Sequence, residues 1–340
     1  MAAEKLHDVP ENLSEEYYQI TLDIMGSFNK FRPPLNLYRF REDVGRIDTF
    51  YKAGGRLTNE QVEELANLVT EGFIFVSRSD HPIYVKHISH QLDLILVDKN
   101  LKESEIADII VEALTMRLAN FLDQPVKALS DRLREDLLVL TEYLWHDVHR
   151  IRGLMRRLHQ NHTLAHHSFN SGVVGLALFL RLNAEDFKKQ TIKRRMFDNL
   201  TTGFFVHDLG MTKIPQFVRE KTQRLSVEEQ NKVLQHTRVG YTMLDKLDLR
   251  YGEVEACVGD HHERLDGSGY PQKSRGMDIS FFGRLCAVAD SFAAMTSTRP
   301  HAKAMAPGEA AAELVRDEKR YDSRITKALA ALIMTEQVKG

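Results

Sequence analysis

The sequence predicts a mainly α-helical protein: a small N-terminal α/β module, a long connecting helix and a C-terminal all-helical bundle. Three observations carry that reading. Beyond Glu105, apolar residues recur at three- and four-residue spacing almost without interruption; short apolar runs of strand length occur only before it; and eleven of the fifteen histidines fall between positions 146 and 301. With 43% hydrophobic and 28% charged residues, the 340-residue chain has apolar mass for one large or two moderate cores, which excludes disorder as its main state.

Charge and cysteine usage narrow the class further. Lys+Arg 46 against Asp+Glu 48 leaves a formal charge of −2, so no global basic field exists to hold a nucleic acid polymer or an anionic membrane. The N-terminal stretch MAAEKLHDVPENLSEE has no apolar segment of signal-peptide type, and no window approaches the ~18 uninterrupted apolar residues of a membrane span. The two cysteines, Cys257 and Cys286, sit inside apolar helical patterns and read as small core residues of a reducing compartment, the cytoplasm.

Residues 1–98 make up the α/β module. In LTNEQVEELANLVTEG, Thr58 or Asn59 supplies a cap, Val62, Leu65 and Leu68 an apolar face, and Gly72 the residue just past the end, which predicts a short helix. FIFVS (73–77) reads as a buried strand and HPIYVKHI (81–88) as another, joined by a turn at Arg78-Ser79-Asp80, with an earlier turn at Gly54-Gly55. His81, His87 and His90 beside these strands read as surface or structural residues.

Residues 99–159 form the connector. Ile106, Ile109, Ile110, Ala113, Leu114, Leu118 and Phe121 share one helical face until Pro125 ends it. Leu133, Leu137, Leu140, Leu144, Val148, Ile151, Met155 and Leu158 then predict one helix over 131–159, longer than most globular helices. Such a helix joins domains or pairs with its own copy, so a homodimer through it is one of the two readings. His146 and His149 fall near polar positions and read as part of a solvated face.

From 160 to 340 the pattern stays helical. Helices are predicted over Thr163–Leu182 and Thr191–Val206, from a capping box at Ser226-x-x-Glu229 into a segment with His236, and over Glu253–His261 and Phe281–Met295. Four histidine clusters lie on them: His167, the pair His207-Asp208, His236, and the pair His261-His262. A carboxylate, Asp290, completes the set in the apolar run LCAVADSFAAM, where an unpaired charge would cost several kcal/mol. Adjacent side chains on a helix diverge by roughly 100°, so His261 and His262 share one site only at a helix end or beside two metals. Imidazole plus carboxylate suits Fe, Mn or Zn, and seven candidate ligands exceed the needs of one tetrahedral ion. If Asp208 bridges, five histidines and two carboxylates give four protein bonds to each of two ions with room for a shared water or hydroxide, an arrangement suited to phosphoester hydrolysis.

Read together, His207-Asp208-Leu209-Gly210 and the run from His261 to Pro271 (HHERLDGSGYP) resemble the HD-GYP family of metal-dependent phosphohydrolases. The resemblance covers roughly residues 160–335 and takes in His167-Ser168, His236-x-x-x-Gly240, Ala289-Asp290, Thr298-Arg299-Pro300 and Tyr321-Asp322. It implies a helical bundle that hydrolyses cyclic di-GMP, through pGpG to GMP, at a centre of two transition-metal ions, iron first and manganese as the alternative. One ion would take His167, His207, Asp208 and Asp290; the other Asp208, His236, His261 and His262. Asp208 is thereby the central catalytic candidate. The Gly269-Tyr270-Pro271 loop is implicated in contacts with substrate or with diguanylate cyclase domains.

The chain departs from the family at identifiable positions. Thr163 stands where trinuclear members carry Glu, hence two metals rather than three. Met211 replaces the lysine of HDxGK, with Lys213 two residues on, and after Arg299-Pro300 the chain has His301 and Ala302, with Lys303 displaced by one. The predicted substrate contacts are therefore Arg299, Lys303, Lys213, Gly269 and Tyr270. The same departures leave two alternatives open: a catalytically weak effector that binds a cyclic dinucleotide or a partner protein, and a hydrolase of cyclic GMP-AMP.

Overall fold

The computed structural model describes residues 16–337 apart from 21, 81–82, 85–91, 97–100, 220 and 300–301. His81, His87, His90, Pro300 and His301 lie outside the described residues. The chain divides into two compact units, Met1–Ala113 and Leu114–Gly340.

The first unit contains β1 (Tyr17–Gln19), α1 (Leu22–Ser27), β2 (Leu37–Arg41), β3 (Arg46–Tyr51), α2 (Asn59–Thr70) and β4 (Ile74–Ser77). The strands form an antiparallel sheet in the order β1-β4-β2-β3, with Tyr17 opposite Ser77 and Phe40 opposite Ile47. Gly45, at φ 61°, supplies the left-handed residue that turns β2 into β3. Helix α2 starts at the Thr58 capping box closed by Gln61 and ends before Gly72 at φ 81°, as its sequence predicts. The expected strand at 81–88 is corrected where it is described: Arg78–Asp80 is a 3₁₀ turn and Ile83-Tyr84 are helical. Both edges of β4 are already paired, with β1 and β2, so a chain folding straight back has no ladder to join.

A helix α3 (Glu103–Asp123) spans the division between the units. The second unit continues with α4 (Lys127–His146), α5 (Ile151–Met155), α6 (Leu164–Leu182), α7 (Ala184–Lys188), α8 (Arg194–Val206), α9 (Gln216–Arg219), α10 (Val227–Leu234), α11 (His236–Lys246), α12 (Gly252–Asp260), α13 (Phe281–Met295), α14 (Pro307–Arg316) and α15 (Ser323–Gln337). Isolated bridges are its only β pairing among the described residues. The single helix expected over 131–159 is interrupted. Asp147 is extended (φ −152°, ψ 106°) and its carboxylate accepts the His149 N–H at 2.8 Å, starting a 3₁₀ turn, while Arg150 caps the Tyr143 carbonyl at 3.1 Å. The apolar spacing runs through the break because short Asp side chains compete for backbone donors without disturbing periodicity. The self-pairing expectation is thereby left with α4 alone.

Helix α6 is the axis of the bundle, buried almost throughout, and packs on α13 and α8. A Cβ at Gly172 would stand 2.5 Å from the Phe205 ring and one at Gly175 2.9 Å from Phe204, so these glycines set the close approach of α6 and α8. Helix α12 packs on α8, α11 and α13, completing a ring whose facing ends carry the histidines. Cys257 and Cys286 are buried and unbridged. Among the described residues, no helix is long and apolar enough to cross a membrane.

Candidate metal centre

Each candidate ligand is placed by a local feature of its element. Thr163 caps α6, its hydroxyl accepting the His166 N–H at 3.0 Å, and His167 follows in the first turn. His207 terminates α8, and Asp208 leaves the helix at φ −90°, ψ 16° into a 3₁₀ turn over Leu209–Lys213. A Cβ at Gly210 would meet the His236 carbonyl oxygen at 1.8 Å, so only glycine lets this turn sit against the start of α11, where His236 is the first residue. His261 and His262 follow the end of α12, the one placement that lets neighbouring side chains converge, and Asp290 projects from the middle of α13.

The structure brings all seven together. His167 Nε2 lies 3.0 Å from Asp290 Oδ1 and 3.5 Å from Asp208 Oδ2; His207 Nε2 lies 3.8 and 3.9 Å from the same two oxygens. The other oxygen of Asp208, Oδ1, is 3.2 Å from His236 Nε2 and 3.6 Å from His261 Nε2. His262 approaches through Nδ1, 3.9 Å from Asp290 Oδ2. Two groups with ligand atoms within 4.8 Å of one another result, His167-His207-Asp208 and Asp208-His236-His261-His262, each able to hold a metal ion and sharing Asp208. His159 and His166 stack on each other at 4.0 Å and belong to neither group.

The proton positions follow from the backbone. His207, His236 and His261 donate from Nδ1 to the carbonyls of Phe204, Val233 and Cys257 at 2.9, 2.7 and 2.9 Å. A carbonyl only accepts, so each ring carries a proton on Nδ1 and turns Nε2 inward, where a metal ion or a second proton can occupy it. The His236 and His261 Nε2 atoms stand 3.1 Å apart, and buried His207 Nε2 has no hydrogen-bond partner. Lone pairs converging in a buried site call for a cation between them, and the all-nitrogen-and-oxygen donor set fits divalent transition metals.

The electrostatics agree. Burial opposes ionisation of Asp208 and Asp290, yet the imidazoles of His236 and His261 beside the first, and of His167 and His207 beside the second, hold both carboxyls well below the usual range. Burial likewise opposes charge on His207, but Cys286, Asp290 and Asp208 outweigh it and push its pKa up to about 10. Burial and neighbouring His261 keep His262 neutral. Without a metal the cluster draws in a proton; the demand is for positive charge at its centre.

The sequence family of this region is legible independently: the HD domain family model matches residues 187–325. The matched segment lies within the second unit. His167 lies upstream of the matched segment. Similar curated proteins include the "Cyclic di-GMP phosphodiesterase response regulator RpfG" of Xanthomonas campestris, 39% identical over 126 residues, 36% of this chain and 33% of that protein. The "3'3'-cGAMP-specific phosphodiesterase 1" of Vibrio cholerae is 37% identical over 107 residues, 31% of this chain and 24% of that protein. The chain thus spans a third or less of the length of these relatives. A solved structure, "Bd1817, a HDG"Y"P protein from Bdellovibrio bacteriovorus", matches 94% of this chain and 100% of its own at a TM-score of 0.60 and 16% identity, a likeness of fold.

In the second unit the cluster opens into a cavity of about 500 Å³. Of the predicted substrate contacts, Arg299 and Tyr270 line it, whereas Lys213 and Lys303 are exposed and outside its lining, and Gly269 is buried behind it. A Cβ at Gly269 would come 2.4 Å from the His262 carbonyl, which explains the glycine as a packing requirement of the loop. Tyr270 stacks on His262, ring centroids 4.7 Å apart. Sequence reasoning missed three residues. Arg219 and Arg264 line the cavity, and Arg264 is held by the His261 and Glu263 carbonyls at 3.0 and 2.8 Å. Glu263, 2% exposed, accepts the backbone N–H groups of Gln272, Lys273 and Ser274 at 2.6, 3.1 and 3.0 Å and so ties the Gly269-Tyr270-Pro271 loop to the ligand helix. Its position directly after His262 was the available signal.

Proposed function

We propose that the HD domain hydrolyses the phosphodiester bonds of a cyclic dinucleotide, cyclic di-GMP first, giving pGpG and then GMP. The observation that carries the reading is Asp208, whose two oxygens face two separate histidine groups at the wall of an arginine-lined cavity. His167, His207, Asp208 and Asp290 would hold one ion and Asp208, His236, His261 and His262 the other, with iron preferred and manganese the alternative. Two such ions, when bound, supply Lewis-acid polarisation of a phosphate oxygen and a lowered pKa for water between them.

The chain's own groups do the rest. Asp208 stays ionised against its burial and so would serve both histidine groups as an anion. The Nδ1–H bonds to backbone carbonyls fix three imidazole planes before any ligand arrives, which removes reorganisation from the reaction. Arg219, Arg264 and Arg299 present guanidinium groups to the phosphates, and charge-assisted hydrogen bonds of this kind contribute roughly 1.5–3 kcal/mol each. Tyr270 closes one side of the cavity against His262 and is the residue through which the loop would meet substrate or a diguanylate cyclase domain. Water adds to phosphorus, the bond to the 3′ oxygen breaks, and that oxygen leaves with the proton the water gives up.

The relatives named as 3'3'-cGAMP-specific enzymes support a second reading, in which cyclic GMP-AMP is the preferred substrate. Chromatography of both nucleotides incubated with protein loaded with iron or manganese tests the two together. Linear dinucleotide from cyclic di-GMP supports the first reading, and faster loss of cyclic GMP-AMP in competition supports the second. A fully metallated protein that binds either nucleotide and releases no linear product overturns both in favour of a non-hydrolytic effector.

A further inference from the structure

A second cavity of about 500 Å³ adjoins the first, and the two share Met211, Arg219, Val233 and Arg299 as common walls. The side cavity runs along the segment that leads into α10. Val218 and Leu225 give it apolar surface, Gln223 gives it an amide, and Gln230, whose Nε2 donates to the Leu225 carbonyl at 3.1 Å, gives it an amide oxygen, the combination that covers the face of a nucleobase and meets its edge. Its cations, Arg219, Lys221, Arg224 and Arg299, are not equivalent, and Arg224 is exposed and lines only the side cavity. Lys221 is committed to Glu229, donating to both carboxylate oxygens at 2.8 and 2.7 Å. Arg219 has no acidic partner among the described residues; its Nε donates to the Ile214 carbonyl at 3.1 Å, which orients the guanidinium and leaves its terminal nitrogens for a ligand. Arg299, across the shared wall, keeps a buried Nε with no hydrogen-bond partner, a cost that an incoming acceptor removes.

Two arginines with free donors therefore flank the neck between a cavity that ends on the ligand cluster and a cavity shaped for a base. A cyclic dinucleotide carries two phosphates, and only one can sit at the cluster. We infer that Arg219, together with Arg299, grips the second, uncleaved phosphate at this neck, so that the far nucleotide's base lies in the side cavity and Arg219 sets the preference for a two-phosphate substrate. The inference rests on the cyclic dinucleotide reading of the site. It makes Arg219 a specificity residue, where Met211 presents only an apolar thioether to the same neck.

The test compares affinities for a phosphorothioate analogue of cyclic di-GMP, which resists cleavage, and for GMP, which has one phosphate, in wild type, Arg219→Met and Arg219→Lys. Arg219→Met is expected to weaken the cyclic analogue by at least about tenfold and GMP by less than about threefold, with part of the loss restored in Arg219→Lys, since one charge-assisted contact is removed. Metal content by mass spectrometry is expected to match wild type. Unchanged affinity for the cyclic analogue, or equal weakening of both ligands, overturns the inference. Turnover is scored separately. A wild type that binds through Arg219 but does not cleave cyclic di-GMP overturns the hydrolase reading and leaves this one standing, whereas an active hydrolase whose affinity ignores Arg219 does the reverse.

Discussion

Asp208 faces four of the five histidines, offering Oδ2 to His167 and His207 and Oδ1 to His236 and His261. Asparagine in its place keeps the volume but turns an NH₂ group towards lone pairs, so one histidine group loses its anion. Asp208→Asn is expected to lower hydrolysis of cyclic di-GMP by more than about a hundredfold, beyond what changes outside the ligand shell cost, with an unchanged far-ultraviolet circular dichroism spectrum; activity within a few-fold of wild type contradicts the bridging role. Glu263 is the second residue with a leverage larger than its size. Removing the anion that collects three backbone N–H groups should cost about 2 kcal/mol of stability and raise KM. Urea unfolding and steady-state kinetics of Glu263→Gln check this, and two unchanged parameters refute it. The ligands were legible because each sits in a short motif with its own local logic. Glu263 and Arg219 were not, because a carboxylate or guanidinium acquires its task only when the chain returns to it from a different element.

Among the elements, α4 and α8 are joined by Arg194, which donates to Asp198 at 2.8 Å and to Glu142, with Thr141 completing the set. Arg194 holds the Glu142 carboxyl below its ordinary value of 4.5 against the opposing effect of burial. The sign follows: a depressed carboxyl contributes stability at neutral pH that is fully present above 4.5 and is lost as pH falls through the lower, folded value. Glu142→Gln is therefore expected to flatten the decline of unfolding free energy between about pH 5 and pH 3, by less than about 1 kcal/mol because the pair is partly solvated. A variant with the full wild-type acid slope contradicts it. Helix boundaries that depend on local capping, such as Thr58, Thr163 and Ser226, were readable from sequence, and the break at Asp147 was not, since the same leucine spacing continues on both sides of it. The expectation of a strand after Asp80 failed for a related reason: strand propensity carries no information on whether a sheet edge is free, and β4 has none.

At the scale of the molecule, every candidate ligand belongs to Leu114–Gly340, so the consequences of metal loss should be confined to that unit. A ligand present at a thousand times its dissociation constant stabilises by about 4 kcal/mol, which for a unit of this size is a shift on the order of 10 °C. Calorimetry with and without chelator is expected to show the second unit's transition fall by that order while the first unit's stays in place; a scan in which the chelator moves neither transition contradicts the placement. The bundle itself was legible from its apolar period and histidine surplus. The division between the units falls at Ala113 inside α3, where the apolar face runs on unbroken.

The convergence of Nε2 atoms around a divided carboxylate makes one number decisive, the count of metal ions per folded chain. Inductively coupled plasma mass spectrometry of protein loaded with iron or manganese and freed of excess metal should give two ions per chain, and a chain that retains one ion or none contradicts the two-ion centre on which the proposed hydrolysis rests.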